Sequence, residues 1–115
     1  MEQQCIFCRI GSKQIPADIV YEDPEMVAFR DIHPIAPVHV LLIPKKHIPS
    51  VNELEESDAA LIGRMVLRAK ELARKEGVFD NGYRLVVNTG AYAGQEIKHL
   101  HMHIIGGRKL SGKFV

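Results

Sequence analysis

Apolar and polar positions along the chain change period several times, and those changes divide it into elements. Cys5 to Gly11 carries Ile6, Phe7 and Ile10 and ends on a glycine, which reads as a short helical turn. Ile15-Pro16 leads into a predicted strand over Asp18–Tyr21. Asp23-Pro24-Glu25 is a turn signal, and Met26–Asp31 continues as a second strand, so the two are expected to form a hairpin. His33-Pro34-Ile35-Ala36-Pro37 is a loop punctuated by prolines. Val38–Ile43 follows as a nearly continuous apolar run, the pattern of a strand covered on both faces, and Pro44 stops it.

From Asp58 to Glu76 the period becomes helical. Ile62, Met65, Val66, Ala69, Leu72 and Ala73 form one apolar stripe, while Arg64, Arg68, Glu71 and Lys75 lie opposite. Ser57 is the expected N-cap and Gly77 the expected residue just past the C-cap. Asn81-Gly82 is a turn, Tyr83–Asn88 a strand, Thr89–Gly94 a glycine-bearing loop and His99–Ile105 the last strand. Five strands, mostly adjacent in sequence, with one long helix and a short N-terminal one predict an antiparallel α+β layer fold in a single domain, 1–115.

Composition narrows the function classes. At 46% hydrophobic and 25% charged, with a net charge of +1 from 15 basic and 14 acidic residues, the chain has no basic block to suit nucleic acid or an anionic membrane. No apolar run approaches the roughly 20 residues of a spanning helix. Met1-Glu2-Gln3-Gln4-Cys5 has the features of no signal peptide, so cytoplasm is the default expectation.

His99-Leu100-His101-Met102-His103-Ile104-Ile105 alternates histidine and apolar residues through Ile104. On a strand, three imidazoles would share one face, successive ones about 6.6 Å apart, with Leu100, Met102 and Ile104 in the core behind them. Such a group could bind a metal, perform acid–base and nucleophilic chemistry, or be an accident of the surface. A neutral imidazole is a competent nucleophile near neutral pH, and attack on phosphorus through a phosphoramidate splits one difficult displacement into two easier ones.

The His-φ-His-φ-His-φ-φ pattern, with φ apolar, resembles the motif of the histidine triad (HIT) family. Asp31-Ile32-His33-Pro34, Ala36-Pro37-Val38-His39, Ile43-Pro44-Lys45-Lys46-His47 and Gly94-Gln95 are similar to its Hint-like branch. The resemblance implies a homodimer with a purine nucleotide site in each subunit and cleavage of the P–N bond of an AMP-like phosphoramidate. It implies His101 as nucleophile, His103 near the phosphate and leaving group, and His39 behind His101 in a relay. It further implies Asn88 and Gln95 as phosphate contacts, Asp31 on the ribose, and Ile6, Phe7, Ile10, Ile15, Phe29 and Ile32 around the base. Without it, the apolar residues read as core, Asp31 as a turn cap, Asn88 as loop support and His39 as a core histidine. Two positions depart from many Hint-like members: Glu96 stands where they have a serine, and the tail Lys109–Val115 lacks a tryptophan-proline ending.

Cys5-x-x-Cys8 stands alone, with no second such pair and no thioredoxin-like pattern. Two reduced, buried thiols are one reading. The other is a structural zinc site, which needs about four N/S ligands and would take His47 and His99 as the remaining two; the resemblance implies that Cys2His2 set. Three functions follow from the sequence: a phosphoramidase, a dinucleoside polyphosphate hydrolase of the Fhit-like branch, and a non-catalytic nucleotide-binding dimer.

Overall fold

The computed structural model describes residues 4–113, so what the sequence suggests for Met1–Gln3 and for the last two residues of the tail falls outside the described part. Helix α1 (Ile6–Gly11) is capped by Cys5, whose Sγ accepts the Cys8 N–H at 3.4 Å. The spacing of the cysteine pair is thus also a helix-capping arrangement.

Strands β1 (Ile19–Glu22) and β2 (Met26–Arg30) form the expected hairpin. Asp23 closes it, its Oδ1 accepting the N–H groups of Glu25 and Met26 at 2.7 and 2.9 Å. Strand β3 (Val38–Pro44) pairs with β2 on one side. Helix α2 (Ala59–Lys75) follows, then β4 (Tyr83–Val86) and β5 (Met102–Gly106). All neighbours are antiparallel in the order β1-β2-β3-β5-β4, so the last strand inserts between β3 and β4 and leaves β4 at an edge. This is the α+β architecture the sequence predicts.

The ends of α2 obey different rules. Ser57 is not its cap; it lies inside a 3-10 turn, Glu56–Asp58, that leads into the helix. There the Glu55 and Asp58 side chains each accept the other's backbone N–H, a reciprocal box that displaces the serine. At the far end Gly77 has φ +82°, Val78 N–H reaches the Ala73 carbonyl and Gly77 N–H the Arg74 carbonyl. That is a Schellman motif, with glycine where the left-handed residue must stand.

The sheet has two unlike faces, because side chains alternate along each strand. Met26, Ala28, Val40, Leu42, Met102 and Ile104 point toward α2 and join its Met65, Ala69, Leu72 and Ala73 in the main core. On the other face Val27, Phe29, Leu41 and Ile43 pack with Phe7 and Ile10 of α1. His39 and His103 share the parity of this second face, so the chemistry-bearing side chains sit away from the long helix. Among the described residues no helix is long and apolar enough to cross a membrane.

Candidate active site

The histidine run is strand only in part. Strand β5 begins at Met102; before it, His99 N–H bonds the Ile97 carbonyl at 2.8 Å and Leu100 N–H bonds the Ile48 carbonyl at 2.7 Å. These bonds curve the backbone away from the ladder, so the expected strand over His99–Ile105 is shortened at its start. The three imidazoles therefore divide between two clusters. His101 and His103 stay together, ring centroids 5.1 Å apart, while the His99 ring lies 5.1 Å from that of His47. Phe7 stands edge-on to both His99 and His101, at 6.0 and 5.1 Å.

In the first cluster the backbone fixes each tautomer. His101 Nδ1 lies 2.7 Å from the His99 carbonyl, which only accepts, so Nδ1 carries the proton and Nε2 keeps its lone pair. Ile35 N–H donates to His39 Nδ1 at 3.2 Å, so His39 carries its proton on Nε2. That Nε2 is 2.9 Å from His103 Nδ1 and donates to it, which leaves the His103 proton on Nε2. His39 is thus hydrogen-bonded to His103 rather than placed behind His101, and the rings run in the order His39, His103, His101.

Asp31 lies beside this chain, one carboxylate oxygen 3.6 Å from His39 Nε2. Its other oxygen accepts the His33 N–H at 2.7 Å, the turn-capping role that the sequence also allows. Burial, and then the nearby His101 and His39, push the His103 imidazole down to about 4, with Asp31 opposing. Burial likewise holds His39 below its ordinary value, again against Asp31. Both rings are therefore neutral at physiological pH. Asp31, His39 and His103 stand close enough together to surround a cation. The proton on His39 Nε2 occupies the lone pair that a metal would need, so the arrangement suits proton and hydrogen-bond chemistry instead.

The remaining residues expected around a nucleotide have differing surroundings. Phe7, Ile10 and Phe29 are buried in the smaller core, with Ile15 packed against it, as the plain core reading has them. Ile6 and Ile32 are 44% and 86% exposed. Asn88 is half-buried just past β4, which is two residues shorter than expected. Gln95 differs from the expected phosphate contact. Its Nε2 donates to the carbonyls of Pro49 and Ile97 at 2.7 and 3.1 Å, and its Oε1 accepts the Gly90 N–H at 2.9 Å. Both side-chain donors are spent on backbone, so Gln95 braces the Gly90–Gly94 loop and offers a phosphate no side-chain N–H. Glu96 is exposed and lines a cavity of about 440 Å³ with Gln4, Ile6, Pro49 and Lys98.

The second cluster gathers Cys5, Cys8, His47 and His99, whose ligand atoms all lie within 4.8 Å of one another. Cys5 Sγ is 3.3 Å from His99 Nδ1, and Cys8 Sγ is 3.2 and 3.5 Å from the Nδ1 atoms of His47 and His99. The two Nδ1 atoms are 3.2 Å apart. Tetrahedral zinc, with bonds of about 2.3 Å to sulfur and about 2.05 Å to nitrogen, sets its ligand atoms about 3.3–3.8 Å apart. The donor set and its spacing fit that ion. His99 Nε2 donates to the Pro44 carbonyl at 2.7 Å, which turns an unprotonated Nδ1 toward the two sulfurs, the orientation that second-shell partners impose on metal-binding histidines.

Comparison with known proteins agrees with this geometry. The HIT domain matches residues 12–110. A purine nucleoside phosphoramidase of Escherichia coli strain K12 is 46% identical over 110 residues, covering 96% of this chain and 92% of its own. A HIT family hydrolase from Legionella pneumophila Philadelphia 1 superposes with a TM-score of 0.93 at 47% identity, covering 95% of this chain and 97% of its own. One from Clostridium thermocellum gives 0.95 at 42% identity, with 98% of each chain covered. With the family's domain over most of its length, and with relatives named as hydrolases that share its fold, this chain belongs to the histidine triad family.

Proposed function

We propose that the protein is a hydrolase of nucleoside phosphoramidates that works through a covalent nucleotidyl intermediate on His101. The observation that carries this reading is the 2.7 Å bond from His101 Nδ1–H to the His99 carbonyl, which leaves Nε2 as the nucleophilic atom. Nε2 attacks the α-phosphorus, a P–N bond forms to the ring and the P–N bond to the substrate amine breaks. The departing nitrogen keeps that electron pair and takes a proton from water. The ring becomes an imidazolium, and the His99 carbonyl stabilises its Nδ1–H. A second water then displaces the ring from phosphorus, releasing the nucleoside monophosphate and a proton. His103 Nε2–H, aligned by His39, donates to a phosphoryl oxygen on which charge builds. The name of the Escherichia coli relative supports the substrate class.

The test compares turnover of adenosine 5′-phosphoramidate with that of a diadenosine polyphosphate, and seeks nucleotide bound to His101 after rapid denaturation. Faster turnover of the phosphoramidate with label on His101 is expected. Preference for the dinucleotide assigns the protein to polyphosphate hydrolysis, and binding of AMP without turnover of either makes it a binding module.

Two further proposals accompany this one. Cys5, Cys8, His47 and His99 hold a structural zinc ion, which supplies folding energy by tying α1 to the segment before β5. Thiols kept for a metal fit a reducing compartment, such as the cytoplasm. Two copies also pair to form the active enzyme, for which the unpaired edge of β4, with Leu85 and Val87 each 36% exposed, offers a surface.

A further inference from the structure

Just beyond β5 the chain turns back onto the loop that precedes β3, at two points. Gly107, at φ +94°, lies so close that an added Cβ would stand 2.9 Å from Pro37 Cβ. Next to it, Arg108 Nη2 donates to the Ile35 carbonyl at 3.0 Å, while Nη1 donates to the Lys109 carbonyl at 3.1 Å. Ile35 is therefore held by its carbonyl, and its own N–H is the group that donates to His39 Nδ1. From Arg108 to the pair His39–His103 the contacts are continuous.

We infer that Arg108 is a positioning residue for the histidine relay: by clamping the Ile35 carbonyl it restrains residue 35 from its C-terminal side, and so holds the preceding peptide unit, which carries the Ile35 N–H, on His39 Nδ1 and keeps the His39 proton on Nε2, facing His103. Any anchor for this loop could hold its shape. Only one that limits rotation about the Ile35 backbone decides which His39 nitrogen bears the proton. Loss of the clamp frees rotation about the Ile35 backbone, and the Ile35 N–H can then leave His39 Nδ1. His39 then samples both neutral tautomers, and the one protonated on Nδ1 turns a lone pair toward His103 Nδ1, so the bond is lost unless His103 also shifts its proton and gives up its Nε2–H. An N–H aimed at Nδ1 also opposes protonation there, so its loss makes His39 easier to charge. Asp31 and His103 face His39, and Asp31, His101 and His39 face His103; Arg108 acts through the backbone of residue 35.

The inference rests on the relay serving catalysis, but its structural half is tested without substrate. In protein labelled with 15N-histidine, wild type should show His39 as a pure Nε2–H tautomer. Arg108→Met, which keeps the stem and removes the donors, should show a mixture. Its kcat for the phosphoramidate should fall about tenfold with KM within about twofold, and the acid limb of its pH profile should move to higher pH. Arg108→Lys, with one donor restored, should recover part of both changes. An unchanged His39 tautomer in Arg108→Met overturns the inference, whether or not the rate falls, because a rate loss alone is what a loosened loop would give. Should Arg108→Met fail to fold, the wild-type Ile35 amide decides: slow hydrogen exchange and a shift that follows His39 titration support the link, and exchange at the rate of an open loop overturns it. If the tautomer responds while no phosphoramidate is turned over, the clamp stands and the catalytic reading fails.

Discussion

His39 Nε2 lies 2.9 Å from His103 Nδ1, and both rings sit on the face of the sheet away from α2. A proton added to His103 Nδ1 would face the His39 N–H, and one added to His39 Nδ1 would face the Ile35 N–H, so the contacts as they stand favour a neutral pair. The arrangement links stability to pH. A histidine held below its ordinary value binds fewer protons when folded than when unfolded, so stability is complete above the unfolded value of 6.5 and is lost as pH falls toward about 4. For His103 the full loss is on the order of 2–3 kcal/mol, and the depressed His39 acts in the same direction. Urea unfolding between pH 7 and pH 4 should show that decline, and His103→Gln should flatten it. A wild-type midpoint that does not move over this interval would contradict the burial of a neutral pair.

Removal of the nucleophile and removal of its support should differ in size. His101→Ala should fold and lose turnover by at least about 10⁴-fold, as expected for an attacking atom. His39→Asn should lose about 10²-fold, the scale of a single acid–base or hydrogen-bonding partner. Steady-state rates and trapping of labelled nucleotide check both. Equal losses in the two variants would mean that His39 does more than align His103.

Metal analysis tests the sulfur cluster apart from catalysis. The native protein should contain close to one zinc per chain, and Cys8→Ser should lose it. A strong chelator should lower Tm in proportion to the metal removed. A metal-free protein with an unchanged Tm would leave Cys5 and Cys8 as capping and packing groups only.

Gly107→Ala should destabilise the fold by about 1–3 kcal/mol, because φ +94° disfavours any side chain and the new methyl meets the Pro37 ring. Thermal unfolding measures it. A neutral result would show that the 33–37 loop can retreat without cost.

Glu96 is exposed and lines a cavity with Lys98, Ile6 and two members of the sulfur cluster, Cys5 and His47. Glu96→Ser should raise kcat/KM several-fold for substrates that carry extra negative charge near the leaving group, by removing a like charge. Substrates with a cationic leaving amine should lose by a similar factor. If both classes respond alike, Glu96 does not face the leaving group.

Much of this was legible in the chain, and the exceptions share a cause. The Val38–Ile43 run was legible as a strand because it is apolar on both faces, and the stripe of α2 because burial repeats with the helical period. Gly77 was legible because a positive φ restricts the residue type. The start of the histidine run misled, because period two continues through His99 while the backbone does not: bonds to Ile97 and Ile48 bend it, and no local pattern encodes a partner about 50 residues away. Ser57 lost the cap to Glu55 and Asp58, and Gln95 lost its expected phosphate to Pro49, Ile97 and Gly90, each through competition between nearby polar groups. The tautomers of His39 and His101 rest on carbonyl and amide groups, which every residue has; a sequence carries no sign of them.

The contact between His39 and His103 joins residues 64 apart, across the seam where β5 slides between β3 and β4. Neither half of the chain can assemble it alone. During refolding, the return of activity should therefore lag behind the helical signal of α2 and coincide with closure of that central seam. A stalled or slipped last strand would yield a compact protein with an intact helix and no chemistry, which makes enzymatic competence a gauge of whether the final strand has seated.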